Sequence, residues 1–205
     1  MKNISTKWFL SLVFLLPWSC SFDECGELEQ KYTNITGLSA SNVLLIEGGY
    51  TIVETLEAEN RVNFNRYGIN VMPTATLLSQ HLAPSGRGFT SAAYACSPAL
   101  PMPSEVIADI AIFSDKDFMQ ANSSRVISAG DTLNSVFTIY DYYSGRIVGL
   151  PDFLMDEGIA ASEQGFILQP SSAPAEVQQH EFTVHYRLEN GEFYEITLPA
   201  VELLP

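Results

Sequence analysis

The chain has 205 residues, 24 acidic and 10 basic, for a formal charge of −14; 46% of its residues are hydrophobic and 17% charged. That is enough apolar material for one core and too little charge for a wholly disordered chain. The basic residues of the body (Arg61, Arg66, Arg87, Lys116, Arg125, Arg146 and Arg187) stand singly, so no patch exists to neutralise a phosphate backbone, and nucleic acid is excluded as a partner.

Lys2 and Lys7 precede an apolar run from Trp8 to Trp18, broken only by Ser11 and ended by Pro17, and the small residues Ser19 and Cys20 follow. This is the order of a secretory signal, assigned to residues 1–19. At about 11 residues the run is shorter than the roughly 20 of a spanning helix, so no transmembrane helix is expected in the mature protein. Leu16-Pro17-Trp18-Ser19-Cys20 resembles a bacterial lipobox, and Ser21-Phe22-Asp23-Glu24 resembles the acidic stretch that directs Bacteroidota lipoproteins to the outer face of the outer membrane. The N-terminus is thus similar to that of small uncharacterised lipoproteins of Bacteroidota. The resemblance implies a lipid on Cys20, a tether over residues 20–36, an outer-membrane location and contact with the membrane through the lipid only.

The three cysteines are Cys20, Cys25 and Cys96. With Cys20 lipidated, Cys25 and Cys96 form an even pair in an oxidising compartment, and their bridge would close a loop of about 70 residues and contribute roughly 4 kcal/mol on the chain-entropy model. A Cys20–Cys25 bridge, which would staple only the tether, is the alternative. Removing residues 1–19 leaves 8 basic against 24 acidic residues, a formal charge of −16, which favours solubility and repels anionic surfaces.

Along residues 37–205, read as one domain, Val43 to Ile46 is a short buried strand. Arg61 to Val71 changes apolar parity, which points to a bulge near Asn65-Arg66. Thr74 to His81 follows Pro73 and reads as a short helix; Ala83 to Ser104, rich in Pro and Gly, reads as a long surface excursion. Val106, Ala108, Ile110 and Ile112 form the apolar face of a strand, and Val136 to Tyr143 is rich in β-branched and aromatic residues. Leu150 to Glu157, with Pro151 near its start, makes about two helical turns. Phe166 to Leu168 is a buried strand and Pro170 to Gln179 a loop.

Glu181 to Glu189 alternates strictly, with Phe182, Val184, Tyr186 and Leu188 on one face. A three-residue loop Glu189-Asn190-Gly191 pairs Tyr186 with Tyr194, Val184 with Ile196 and Phe182 with Leu198. Only this register keeps one face apolar, and it requires Gly191 in the left-handed region. Pro199 then imposes a bulge or an edge, and the apolar parity moves to Val201 and Leu203. Short strands with this punctuation make an all-β, immunoglobulin-like antiparallel β-sandwich with one or two short helices. A closed barrel is the alternative.

Chemistry-bearing residues are sparse. His180 and His185 have opposite strand parity and read as exposed surface histidines, with His81 far away. Ser85-Gly86-Arg87-Gly88 lacks a phosphate-loop lysine, and Asp115-Lys116-Asp117 lacks the ladder of a calcium loop. Asp152, Asp156 and Glu157 invite comparison with glycosidase carboxylates, but acid and base need environments that separate them. Tyr140, Tyr142 and Tyr143 are a candidate glycan platform, against core packing as the plainer reading. Asp131-Thr132-Leu133 resembles the Bacteroidota O-glycosylation acceptor, with Thr132 as the site; Asn34 and Asn122 head sequons in form only.

No cofactor and no metal are expected. The reading is a non-enzymatic envelope module that binds a protein or glycan through loops at one end of a sandwich. The alternatives are an accessory subunit of a nutrient importer or adhesive fibre, and then a carbohydrate-active enzyme. Protein extracted from its native membrane should have the mass of residues 20–205 plus a diacylglyceryl and an acyl group, and should gain about two hydrogens on reduction. A sugar-sized increment should map to Thr132. Intact mass spectrometry checks all three.

Overall fold

The computed structural model describes residues 31–78, 101–121, 123, 125–156 and 158–205. Cys20, Cys25 and Cys96 lie outside them, as do the Ser85-Gly86-Arg87-Gly88 loop and His81. In chain order the strands are β1 (Tyr32–Leu45), β2 (Ile52–Thr55), β3 (Arg61–Asn63), β4 (Tyr67–Leu78), β5 (Met102–Pro103), β6 (Ile107–Ser114), β7 (Phe118–Met119) and β8 (Val126–Ile127). After them come β9 (Phe137–Asp141), β10 (Ile147–Gly149), helix α1 (Leu150–Leu154), β11 (Phe166–Pro170), β12 (Gln178–His180), β13 (Phe182–Leu188), β14 (Phe193–Thr197) and β15 (Val201–Leu204).

The fold is an all-β sandwich. A seven-stranded sheet of order β10-β9-β11-β4-β1-β2, with β5 beside β1, faces two three-stranded sheets, β14-β13-β6 and β12-β15-β3; β7 and β8 form a separate pair. Rings join the layers. Tyr67 and Phe137 of the large sheet meet Phe182 of β13 at centroid distances of 5.7 and 6.0 Å, and Phe166 meets Tyr186 at 6.2 Å. Ile69, Val71, Ile110, Ile112, Val184, Val201 and Leu203 fill the space between. Most pairings are antiparallel, but β5 runs parallel to β1 and β15 parallel to β3.

The C-terminal hairpin has the register its apolar face requires. Val184 lies opposite Ile196 and Tyr186 opposite Tyr194, the Leu198 amide donates to the Phe182 carbonyl at 2.8 Å, and Gly191 has φ of 93°. At Pro199 the chain leaves one sheet for another: β14 ends at Thr197, and β15 pairs with β12 and β3. The crossing is held from within. Asn42 Nδ2 donates to the Pro199 carbonyl at 2.7 Å, and the Tyr67 hydroxyl donates to Asn42 Oδ1 at 2.7 Å. Burial pushes the Tyr67 phenol well above its usual pKa, so it remains a neutral donor.

Several expectations are corrected. The segment after Pro73 is no helix: Thr74 to Leu78 extend β4 and pair with β1. Because β11 stops opposite Val71, β4 at Pro73 needs hydrogen bonds on only one flank, where a proline is tolerated. The parity change near Asn65 is a 3₁₀ turn, Phe64–Arg66, and not a bulge. In β6 the irregularity lies between the pairs Arg187–Asp109 and Leu188–Ile107, so Ile107 is buried and Ala108 exposed. β1 begins at Tyr32 and buries Thr33 and Ile35, so residues 32–36 belong to the sheet and not to the tether.

His180 is likewise not on the surface. It is 1% exposed, with its ring 5.4 Å from that of Phe118 and 5.3 Å from that of Phe182. Its Nδ1 lies 2.8 Å from Ser114 Oγ and its Nε2 3.1 Å from Gln178 Oε1. Gln178 Oε1 can only accept, so Nε2 carries the proton and Nδ1 receives the serine hydroxyl, a pattern that a neutral imidazole satisfies. Burial lowers the pKa from 6.5 to about 4, while Asp115 raises it and Lys116 lowers it. Above pH 6.5 the ring is neutral in both folded and unfolded chains; between 6.5 and about 4 only the unfolded chain takes up the proton. This group should therefore remove on the order of 3 kcal/mol of stability as pH falls through that window. Denaturant titrations across it should show a shallower pH slope for His180→Phe than for the native chain.

Candidate functional site

On its inner face β4 presents Tyr67, Ile69 and Val71 to the core, and on its outer face Gly68 and Asn70. Gly68 is needed there as a space. A Cβ on it would lie 2.9 Å from Leu45 Cδ1 and 3.0 Å from Ile167 Cγ2, so its absence lets β1 and β11 side chains close over β4. Val43, Leu45 and Ile167 form a second buried cluster on this outer face, with Tyr50, Ile52, Tyr140 and Tyr142 packed against it.

The turn between β1 and β2 folds onto that cluster. It is closed by the Ile46 amide donating to the Thr51 carbonyl at 2.9 Å, and it carries Tyr50 to β9. There the Tyr50 and Tyr140 rings lie 4.9 Å apart at 32°, and the Tyr50 hydroxyl is 3.4 Å from Thr138 Oγ1. Tyr142 stands edge-on to Tyr140 at 5.4 Å and 81°, and its hydroxyl donates to Asn70 Oδ1 at 3.4 Å. Burial, and then the neighbouring Tyr140, raise the Tyr142 pKa, which keeps it a neutral donor.

These side chains line an open groove of about 540 Å³ formed by Tyr50, Thr51, Ile52, Tyr140, Tyr142 and Ile147. The lining offers ring faces, phenol and threonine hydroxyls and aliphatic walls, and among the described residues it includes no carboxylate, amine or imidazole. That suits recognition of an uncharged ligand with an apolar face and polar edges.

Of the three tyrosines singled out in sequence, Tyr140 and Tyr142 share this groove and Tyr143 does not. Tyr143 is exposed and lines a separate hollow with Asp141, Arg146 and Asp156. The Asp141 carboxylate accepts from the Tyr143 amide at 3.1 Å and the Ser144 amide at 3.2 Å, which turns the chain and parts Tyr143 from its neighbours. The tyrosines are therefore not one coplanar platform; the ring that lies against Tyr140 is Tyr50. A Gly-Gly-Tyr turn beside an apolar strand is the sequence signal that points to it.

Thr132 is exposed, and its Oγ1 accepts from the Asn134 amide at 3.3 Å. Asp156 pairs with Arg146 on the surface; Asp152 is exposed at the start of α1. Asp115 Oδ1 accepts from the Glu181 amide at 2.7 Å and Asp117 Oδ1 from the Ala129 amide at 2.8 Å, so both serve their turns. Among the described residues no group of three His, Cys, Asp or Glu side chains is placed to hold a metal ion, and no helix is long and apolar enough to cross a membrane.

No protein family and no curated protein matches the sequence. Among solved structures the chain is similar to one titled BspA_C_mut, with 10% identity over 83% of this chain and 47% of that chain, and a TM-score of 0.24. The chain thus spans about half the length of that structure, and so loose a likeness does not bear on function.

Gly68→Ala should crowd Leu45 and Ile167 and cost about 1–3 kcal/mol, read from the denaturant midpoint.

Proposed function

We propose that the protein is a non-enzymatic binding module of the cell envelope, exported and held at the outer membrane by a lipid on Cys20, and that its outer-face groove receives a neutral sugar ring. The observation that carries this reading is the groove itself, with Tyr50 and Tyr140 side by side and Tyr142 edge-on to Tyr140. A pyranose has an apolar face that matches a phenol ring and hydroxyls at its edge that match phenols and Thr51. The mature charge also favours an uncharged ligand over an anionic one. The exported, lipid-anchored part rests on the N-terminal sequence. Among the described residues no carboxylate lines the groove, which supports binding over hydrolysis.

An accessory role in an envelope assembly is the second reading. It draws on β2 and β10, each paired on one flank only among the described residues, and on the half-exposed Val53 and Ile147 they carry. These edges are four and three residues long, which limits strand addition from a partner.

Titration calorimetry against neutral hexose oligosaccharides tests the first reading. Tyr140→Ala should weaken binding at least about tenfold, roughly 1.4 kcal/mol, and Tyr143→Ala should leave it unchanged. Absence of binding, or equal affinity for Tyr140→Ala, would refute it.

A further inference from the structure

We propose that the outer face of the β14-β13-β6 sheet docks onto the same face of a second copy of this chain, about a two-fold axis that runs along the diagonal of Phe113, His185 and Phe193. Neither the lipid anchor nor the tyrosine groove enters into this contact; the groove lies on the outer face of the other layer.

Alternation along β13 sends Phe182, Val184 and Tyr186 into the core and Thr183, His185 and Arg187 outward. Pairing adds a residue on either side of each. Thr183 lies between Phe113 and Thr197, His185 between Ala111 and Glu195, and Arg187 between Asp109 and Phe193. Across this grid the rings touch along one diagonal, with His185 at 4.5 Å from Phe113 and 5.0 Å from Phe193. Phe193 is 52% exposed and the other two are partly buried. The charges are matched within the face. Arg187 Nη2 donates to Asp109 Oδ2 at 3.5 Å, and His185 Nε2 to Glu195 Oε2 at 2.9 Å. A ring-bearing face whose charges are already paired stands apart on so acidic a chain, whose net charge sets its copies against each other elsewhere.

Symmetry selects the arrangement. In a two-fold dimer each side chain meets the residue that mirrors it across the axis. An axis along β13 would set Arg187 on its own copy, one across the strands through His185 would set Glu195 on its own copy, and one along the other diagonal would do the same to Asp109. The axis along the rings avoids all three. It lays each ring against its counterpart, brings Arg187 over the partner's Glu195 and Asp109 over the partner's Thr197, and matches Ala111 with the partner's Thr183. At a strand spacing of about 4.8 Å and a rise of about 3.4 Å per residue, this diagonal is tilted roughly 35° from the strands, so those of the two copies cross at roughly 70°. That is near the orthogonal class of sheet packing. The dimer leaves both tyrosine grooves uncovered and facing away from each other.

Photo-cross-linking in the full chain tests this contact. The photoreactive p-benzoylphenylalanine placed at position 193 keeps a ring on the axis and joins to whatever lies against it on illumination. A product of twice the chain mass is expected, with the partner's cross-linked peptide drawn from β13 or β14. The same probe at position 53, where Val53 of β2 is 54% exposed, should give no such product. Arg187→Glu should cut the yield at least about fivefold, because two acids would then face each other across the contact, and adding Glu195→Arg should restore it. Circular dichroism of each variant separates loss of docking from loss of fold. Absence of the double-mass product, an equal yield from the probe at position 53, or a cross-link to a different protein instead would overturn the proposal. So would a yield indifferent to Arg187→Glu, or a folded double variant that fails to regain the product.

Discussion

The structure depends on the register of β4 between β1 and β11. Because strand side chains alternate, that register assigns every second residue of β4 to the core and the rest to the outer face. Tyr67, Ile69 and Val71 point inward, while Gly68 leaves room outside for Leu45 and Ile167. A slip of one position would bury Gly68 and Asn70 in the core and expel Tyr67. The chain of hydrogen bonds from Tyr67 through Asn42 to the Pro199 carbonyl opposes such a slip. Breaking it would leave polar atoms unpaired in the interior, where each costs on the order of 1–3 kcal/mol.

One consequence is that core and groove are two faces of the same strands. The groove lies on a sheet face, and a single turn reaches across it. Its shape is therefore set by strands packed on the core behind it, which keeps Tyr140 and the backbone beneath Tyr142 in place. Tyr50 is held by a ring contact and one long hydrogen bond, and is the more adjustable wall.

What is legible in the sequence follows from the range of the interactions involved. The β13–β14 hairpin can be read to the residue, since strict alternation and an Asn-Gly turn are local signals. Its sheet neighbour β6 is placed by the same apolar alternation, but the irregularity at Ala108 depends on pairing with β13 and is not visible locally. The outer half of β4 reads as helix because its strand character comes from β1, some 40 residues away in the chain. His180 reads as exposed because histidine is amphipathic and its partner Ser114 lies on β6, far back in the chain. Tyr140 and Tyr142 stand out for their chemistry, whereas Tyr50 sits in a turn, and only folding brings it to β9.

The parallel pairing of β15 with β3 has a kinetic side. β15 is the last of the described strands, yet it is the middle strand of its sheet, between β12 and β3. Glu202 pairs with Arg61 across it, both in register and through a two-pronged ion pair at 2.6 and 2.8 Å. Such a contact closes a loop of about 140 residues, and closing long loops slows folding. During synthesis, residues 61–63 must wait for residues 201–204 before β3 and β15 can pair. The body can begin to collapse early, but it cannot lock until nearly the whole described chain has emerged.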